Sequence, residues 1–387
     1  MVPIKYNVRN LVVRKRTTAA AMFGLALVVY VFACAIMLAN GIEKTFGRSA
    51  APESAIVLRK GSDNEMTSAI EDKQLNLVLA QAQQIGANSK PPGVGEVLIV
   101  ILLDKVGVDG VSNVTVRGVP EDALAFRSTA KLVEGKMPSP GSDEVIVGKA
   151  IRGRFKGLEI GQSFELKKNR SVKVVGVFED QGSAYESEVW VDLHIARQAF
   201  GREGYVSSVH VRLDSASKFD AFKALVEQDR TMGLVAMREA DFFEKQSEGT
   251  SFILKLLGGM IAFFFGVGAM IGATITMNAQ VAGRTREIGT LRALGFSKGS
   301  ILFSFLLESV FLAVVGGAIG AVASLAMKAV KITMLNMGTF SEVVFGFEPS
   351  PQIIVSSIAL SAFMGLVGGF LPAVRAARVS PVEAMRG

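Results

Sequence analysis

The stretch Gly283-Arg-Thr-Arg-Glu-Ile-Gly-Thr-Leu-Arg-Ala-Leu-Gly295 lies between two apolar runs, Phe252–Met277 and Ile301–Met327. A helix needs about 20 apolar residues to cross a bilayer, and each run exceeds that. A short basic segment between them reads as a loop joining two membrane spans, and the fold follows by counting outward. Ala19–Ala39 and Ile353–Leu371 are two further runs of spanning length. Half of the 387 residues are apolar, the mean hydropathy is +0.39 and only 20% are charged, which is low for a soluble chain. The fold class expected is a membrane α-helical protein of four transmembrane helices, with a large mixed α+β domain inserted between helices 1 and 2.

The first run follows a basic segment, as a secretion signal would. Its unbroken apolar length exceeds the roughly 7–15 residues of a signal core, and no small-x-small cleavage site follows. It reads as a retained anchor.

Charge placement sets the expected orientation. Residues 1–18 (with Lys5, Arg9, Arg14, Lys15 and Arg16), the loop 278–300 and the tail 372–387 together carry 12 basic and two acidic residues. The segment 41–251 carries 27 basic and 30 acidic residues. The chain's net charge of +7 is therefore concentrated on one side of the spans, which is the positive-inside pattern and not a nucleic-acid footprint. Both termini and the 278–300 loop are expected to be cytoplasmic, with 40–251 and 328–352 outside. Cys34, the only cysteine, lies within the first run, so the inserted domain must be held by an ordinary core.

Within that domain, Glu96–Leu103, Asn113–Arg117, Val172–Phe178, Glu188–Asp192 and Ser208–Leu213 read as strands. Glu65–Ile85, Ala216–Gln228 and Arg238–Gln246 read as helices. A β-rich sublobe is expected at about 131–193. The polar helix before 252 is either a rigid stalk leading into the second span or a simple linker.

Three glycine pairs sit one turn apart in the spans: Gly268 and Gly272, Gly316 and Gly320, Gly365 and Gly369. Small residues at this spacing let helix backbones approach where lipid offers no hydrophobic drive to associate. The pairs could serve packing within one chain, or one of them could face a second copy. Glu308 is an ionisable residue inside the third run, costly there and a functional candidate for that reason. It could equally be a structural partner for basic residues near the rim, such as Lys298 or Arg292.

On the loop helix, Ile288, Leu291 and Leu294 share one 120° arc with Glu287, flanked by Arg284 and Arg292, while Arg286, Thr290 and Ala293 lie opposite. An apolar arc with one carboxylate and flanking arginines suits protein docking better than lying under headgroups. No phosphate-binding loop of the Gly-x-x-x-x-Gly-Lys-Ser/Thr type occurs in the chain. Neither His194 nor His210 has cysteine or carboxylate neighbours at metal-ligand spacing, and no nucleophile–base pair can be nominated. No catalytic, cofactor-binding or metal residues are therefore expected in this chain.

Arg284-Thr-Arg-Glu-Ile-Gly-Thr-Leu-Arg-Ala-Leu-Gly-Phe-Ser297, read with one span, a large domain and three more spans, resembles the FtsX-like permeases. These are ABC transporter membrane subunits that include the macrolide-exporter (MacB) type. The ending Leu371-Pro-Ala-Val-Arg-Ala-Ala-Arg-Val-Ser-Pro-Val-Glu-Ala-Met-Arg386 is similar to that family's C-terminus. The start Asn7-Val-Arg-Asn-Leu and Arg14-Lys-Arg-Thr17 fits it too, and Gly141–Gly148 through Leu158–Gly161 looks like its periplasmic domain. The resemblance implies a bacterial inner-membrane permease in which the 284–295 helix, with Arg284, Arg286, Glu287, Ile288, Leu291, Arg292 and Leu294, docks on a cytoplasmic ATPase dimer. ATP and magnesium would be bound by that partner, not by this chain. It further implies a second permease copy, identical or related, a possible periplasmic adaptor, and transmission of movement across the membrane without passage of cargo between spans. Export with an adaptor, extraction of lipid or lipoprotein, and control of a cell-wall hydrolase are all compatible with it.

Overall fold

The computed structural model describes residues 15–87, 89–229 and 232–386. The N-terminal residues Lys5, Arg9 and Arg14, used above for orientation, lie outside them. The chain divides into two compact units: a helical unit of the chain up to Asn40, Phe252–Val330 and Gly346 onward, and an inserted domain of Gly41–Ser251 with Lys331–Phe345.

Four helices are long and apolar enough to cross a membrane. They are α1 (Lys15–Gly47), α6 (Glu239–Ala282), α8 (Lys298–Ser324) and α9 (Pro351–Ala377). Two short helices accompany them, α7 (Thr285–Ala293) and α10 (Pro381–Arg386). α6 is continuous over 44 residues, and the polar segment before Phe252 forms its first turns. α9 runs past Leu371, where the apolar run ends, through Pro372 to Ala377. Proline is tolerated in spanning helices because neighbouring groups satisfy the carbonyl it leaves unbonded.

Backbone approach at glycine holds the helical unit together. A Cβ placed on Gly320 would overlap the Ala26 carbonyl of α1, and one on Gly316 would sit 2.8 Å from the Met22 carbonyl. Cβ atoms on Gly365 and Gly369 would overlap Ala313 and Ser309 of α8. Serine and threonine then bond across the contacts they can reach: Ser309 Oγ donates to the Gly365 carbonyl at 2.6 Å, and Thr274 Oγ1 to the Gly368 carbonyl at 2.8 Å. Two of the three glycine pairs therefore pack within the chain. Gly268 and Gly272 differ, since a Cβ on either meets nothing within 4 Å.

The inserted domain is built on a ten-stranded sheet of order β12-β1-β11-β3-β4-β9-β6-β8-β5, with β7 paired to β8. In sequence these are β1 (Ser54–Arg59), β3 (Gly93–Asp104), β4 (Val111–Val119), β5 (Lys131–Gly135), β6 (Glu144–Gly148), β7 (Ser163–Lys167), β8 (Arg170–Glu179), β9 (Glu188–Asp192), β11 (Ser208–Arg212) and β12 (Leu234–Arg238). The residues expected to form a sublobe supply one end of this sheet, joined to the rest by parallel pairing of β4 with β9.

The helix expected over Glu65–Ile85 is shorter. β2 (Ile70–Glu71) precedes it, and α2 (Asp72–Gln84) starts at a capping box in which Glu71 and Gln74 satisfy each other's backbone amides. Helices α3 (Ala123–Phe126), α4 (Leu193–Phe200) and α5 (Phe219–Gln228), with the short β10 (Tyr205–Val206), complete the domain. The expected loop 328–352 is also more than a loop. Its centre forms the pair β13 (Lys331–Leu335) and β14 (Glu342–Gly346). This pair belongs to the inserted domain because Val344 is buried in the domain's core and its N–H donates to Ser187 Oγ at 2.9 Å.

The glycine contacts yield a paired test. Gly320→Val should overpack the α1–α8 contact by about 1–3 kcal/mol and lower the thermal midpoint in detergent by a few degrees. Gly268→Val, with open space beside it, should leave the midpoint of the same chain nearly unchanged.

Candidate functional site

The loop between α6 and α8 is a braced structure. α6 ends at Ala282, two residues of turn follow, and α7 begins after Arg284, whose φ of −124° and ψ of 15° lie outside the helical range. At the other end Leu294 caps α7 and Gly295 takes φ +93°, a left-handed conformation that suits glycine.

One face of α7 is spent on packing. Ile288 is buried with Met277 and Val281 of α6, Ile301 and Phe305 of α8, and Ala373 and Ala376 of α9. Gly289 is the contact point for α10, since a Cβ there would overlap Ala384. The two segments that resemble the permease family, the loop helix and the C-terminal tail, thus touch each other.

Arg284 is also turned inward. It is 7% exposed, its Nη1 donates to Glu308 Oε2 at 3.1 Å, its Nε donates to Glu287 Oε2 at 3.3 Å, and its guanidinium lies 5.1 Å from the Phe305 ring centre. Glu308 is 4% exposed on α8. It forms an ion pair with Arg284, whereas proximity in sequence suggested Lys298 or Arg292. Arg292 instead donates to the Phe296 carbonyl at 3.1 Å.

The surface α7 leaves open therefore differs from the arc expected. Ile288 and Arg284 are withdrawn, and Leu291 and Arg292 are half-buried. Arg286, Glu287, Thr290, Ala293 and Leu294 are exposed, Leu294 at 72%. The periodicity identified the helix but could not show which side the spans would cover. Leu294 escapes burial because it sits past the last helical residue, where the chain turns away.

The inserted domain holds a second polar arrangement, one that sequence reading missed. Arg117 on β4 clamps Glu188 of β9 with two bonds of 2.7 and 2.8 Å, and donates to Glu65 at 2.8 and 3.1 Å and to Glu96 of β3 at 2.9 Å. Arg127, just after α3, pairs with Glu96 and lies over the Tyr185 ring at 4.5 Å. His210 on β11 bonds Glu239, the first residue of α6, through Nδ1. Its Nε2 is 3.2 Å from Ser208 Oγ and 3.5 Å from Glu65. All seven ionisable side chains are less than a tenth exposed. The available signal was charge in otherwise apolar strands: Glu96 before Val-Leu-Ile, Arg117 after Val-Thr-Val, and His210 between two valines.

Glu65, Glu96 and His210 are close enough together for a shared metal ion. The chemistry argues otherwise. Both carboxylates are already engaged by guanidinium groups, and a cation placed there would face the positive charge of Arg117 and Arg127. The group is an ion-pair network.

Its proton balance follows from its neighbours. Burial alone would push His210 down, but the Glu96 charge and hydrogen bonds to Glu239 and Glu65 reverse this and raise it to about 9. Burial alone would raise Glu96, but Arg127, His210 and Arg117 hold it at about 2. At Glu188 burial prevails over Arg117 and the carboxyl is raised.

The geometry defines a class: a membrane protein whose spans are linked by a short, clamped loop helix and whose large α+β domain is inserted after the first span. Residues 18–229 match the MacB-like periplasmic core domain, and residues 259–381 match the FtsX-like permease C-terminal domain. The chain belongs to the MacB-like ABC transporter permease family. Permeases of this family are non-catalytic in type and work with ABC ATPases.

Similar proteins include the macrolide export ATP-binding/permease protein MacB of Neisseria gonorrhoeae, 28% identical over 230 residues, 57% of this chain and 34% of the relative. The protein of the same name from Hahella chejuensis is 32% identical over 228 residues, 55% of this chain and 33% of the relative. The matched region thus spans about a third of these relatives. The periplasmic region of MacB from Actinobacillus actinomycetemcomitans is a similar solved structure, with a TM-score of 0.37 and 13% identity, covering 51% of this chain and 92% of that one. The extracellular domain of the transporter YknZ from Gram-positive bacteria has a TM-score of 0.34 and 16% identity, covering 48% of this chain and 99% of that one.

The raised His210 carries a pH prediction. A group raised from about 6.5 when unfolded to about 9 when folded stabilises the fold fully below pH 6.5 and ceases to do so as pH rises through 9. The inserted domain should lose on the order of 3 kcal/mol across that window. Chemical unfolding of the full chain in detergent, followed by the fluorescence of Trp190, the single tryptophan, checks this. Trp190 donates to Glu188 at 3.0 Å and so reports on the network directly. In His210→Gln the decline between pH 6.5 and 9 should disappear.

Proposed function

We propose that this chain is the membrane subunit of an ABC exporter in the bacterial inner membrane, acting through movement of its inserted domain. The observation that carries this reading is the exposed strip Arg286, Glu287, Thr290 and Leu294 on a helix otherwise clamped to three spans. A mixed surface on a rigid mount suits a helix that receives force from a soluble protein. That protein would be an ABC ATPase dimer, which binds ATP and magnesium and hydrolyses the nucleotide. In this reading the loop helix and both termini face the cytoplasm, and the inserted domain lies outside, where it meets an adaptor or cargo.

Two permease copies would assemble. The support is the groove between α1 and α6, lined by Ala20, Gly24, Val28, Gly268, Gly272 and Thr276, with a volume of about 650 Å³. It holds the glycine pair Gly268 and Gly272, at which a Cβ meets nothing within 4 Å among the described residues. The same groove favours a second reading, extraction of a lipid or lipoprotein, because an apolar trough open beside the spans would also admit an acyl chain. Photocrosslinking from Phe265 at the groove wall distinguishes the two: a crosslinked dimer supports pairing of copies, and a lipid adduct supports the second reading.

Docking has its own test. Glu287→Ala combined with Leu294→Asp alters the exposed strip while leaving Arg284 and Ile288 in place. Affinity for the partner ATPase should fall at least about tenfold, the scale of one or two interface contacts. Co-purification and ATPase rates with purified partner read this out. Unchanged affinity would show that α7 is not the docking element.

A further inference from the structure

We propose that the inserted domain binds the phosphate headgroup of an anionic phospholipid in the cavity between the first turns of α6 and the β13–β14 turn. The site is independent of ATPase docking and requires only that α6 enters the membrane at Phe252. The cavity has a volume of about 640 Å³, and every residue lining it belongs to the inserted domain. Small-molecule sites usually have roughly 300–1,000 Å³.

One wall is a stripe of α6. At about 100° per residue, Phe242, Lys245, Gln246, Gly249 and Thr250 share an arc of about 140°. Asp241, Glu244 and Glu248 fall outside that arc, so Lys245 is the charge that α6 presents to the cavity. The β1–β2 connection contributes Lys60 and Asp63, which leaves the lining with two positive charges against one negative. Val235 and Met237 of β12 and Met337 of the turn add apolar surface, and methionine adapts readily to an irregular apolar stem. These walls are tied together. Asn336 Oδ1 accepts from the Gly338 N–H at 2.8 Å, which turns its Nδ2 toward Gln246 Oε1 at 3.0 Å. With its oxygen engaged, Gln246 has amide N–H donors for a ligand. The Lys60 N–H donates to the Gly233 carbonyl at 2.7 Å, and Asn64 Oδ1 accepts from the Thr67 N–H at 3.1 Å, so the connection is held as well.

Two ammonium groups and an amide beside methionine, valine and phenylalanine suit a phosphate carried on an apolar stem. The bilayer supplies that chemistry at the right depth. Thr250 stands two residues before Phe252, about 3 Å along the same helix, and Phe252 opens the apolar run. An anion bound beside Thr250 therefore sits at the level of the headgroups, where lysines attract anionic lipid. A free anion without an apolar part would leave the apolar wall bare.

The test uses the full chain in phosphatidylcholine nanodiscs containing a small fraction of phosphatidylglycerol, with a photoreactive diazirine in its acyl chain next to the glycerol ester. Illumination should place adducts on the peptides that contain Met237, Phe242 and Met337. Lys60→Gln combined with Lys245→Gln should lower these adducts at least about fivefold, and arginine at both positions should restore them. Gly249→Leu should block the site from the other side. A Cβ at Gly249 meets nothing within 4 Å and leucine is the better helix former, so the variant fills the cavity and keeps the fold. If Gly249→Leu does not fold, the lysine pair decides alone. Adducts only on other peptides, or adducts insensitive to both lysines, overturn the proposal. Equal labelling by a phosphatidylcholine probe overturns it too, since charge is then not read. Inorganic phosphate that displaces the probe at equal concentration assigns the site to a soluble anion and overturns the lipid assignment.

Discussion

Inside a bilayer one apolar helix gains nothing by leaving lipid for another apolar helix, so the spans hold together only where their backbones can touch. Everything in the helical unit depends on that constraint. α8 is the hub: Gly316 and Gly320 admit α1, while Ala313 and Ser309 fit against Gly365 and Gly369 of α9. At the contacts with α9 the approach brings a carbonyl within reach of a small hydroxyl, and there Ser309 and Thr274 bond across helices as well as filling space. A larger residue at any of these points would hold the backbones apart, and at Gly365 or Gly368 it would break the hydrogen bond together with the contact.

The inserted domain obeys the opposite rule. Water surrounds its chain when unfolded, so burial of apolar strands supplies the drive, and one core runs beneath the sheet from Ala55 to Val344. Within that core a cluster of seven ionisable groups is a substantial desolvation cost. It is tolerated because the arginines act as multivalent donors: Arg117 alone satisfies three carboxylates drawn from β3, β9 and the segment before β2. The protonated His210 completes the balance and reaches Glu239, where α6 begins.

The sequence was informative wherever a property repeats along the chain. Four spanning runs, alternating strands such as Glu188–Asp192 and the family motifs at both ends of the helical unit are local patterns, and they are legible as such. The capping box at Glu71 and Gln74 was local too, yet it lay inside a longer polar stretch that also scanned as helix, so the start of α2 was placed too early. Non-local pairings were not legible. Arg284 and Glu308 are 24 residues apart, and a carboxylate inside a span has several basic candidates near the rim. Helical phase placed Glu287, Ile288, Leu291 and Leu294 on one arc correctly in angle, but phase has no origin without knowing where the neighbouring helices stand. The spans covered Ile288, and the helix ended before Leu294. The buried network draws on seven separate segments, and only its misplaced charges hinted at it.

The two ionic arrangements have a common logic. Apolar packing specifies that surfaces be buried but tolerates many registers, whereas a buried ion pair has one arrangement that satisfies it and a steep penalty for the rest. Such pairs are therefore informative about geometry even where they add little net stability. Here they occur at the two ends of α6: Glu239 in its first turn belongs to the network around His210, and Arg284, two residues past its last, holds Glu308. Between those ends the helix exposes Phe263, Phe264 and Phe265 and makes a directional contact, Thr274 Oγ1 to the Gly368 carbonyl of α9. At each end a polar contact inside its own compact unit fixes the local geometry, and there the chain accepts the cost of burying charge.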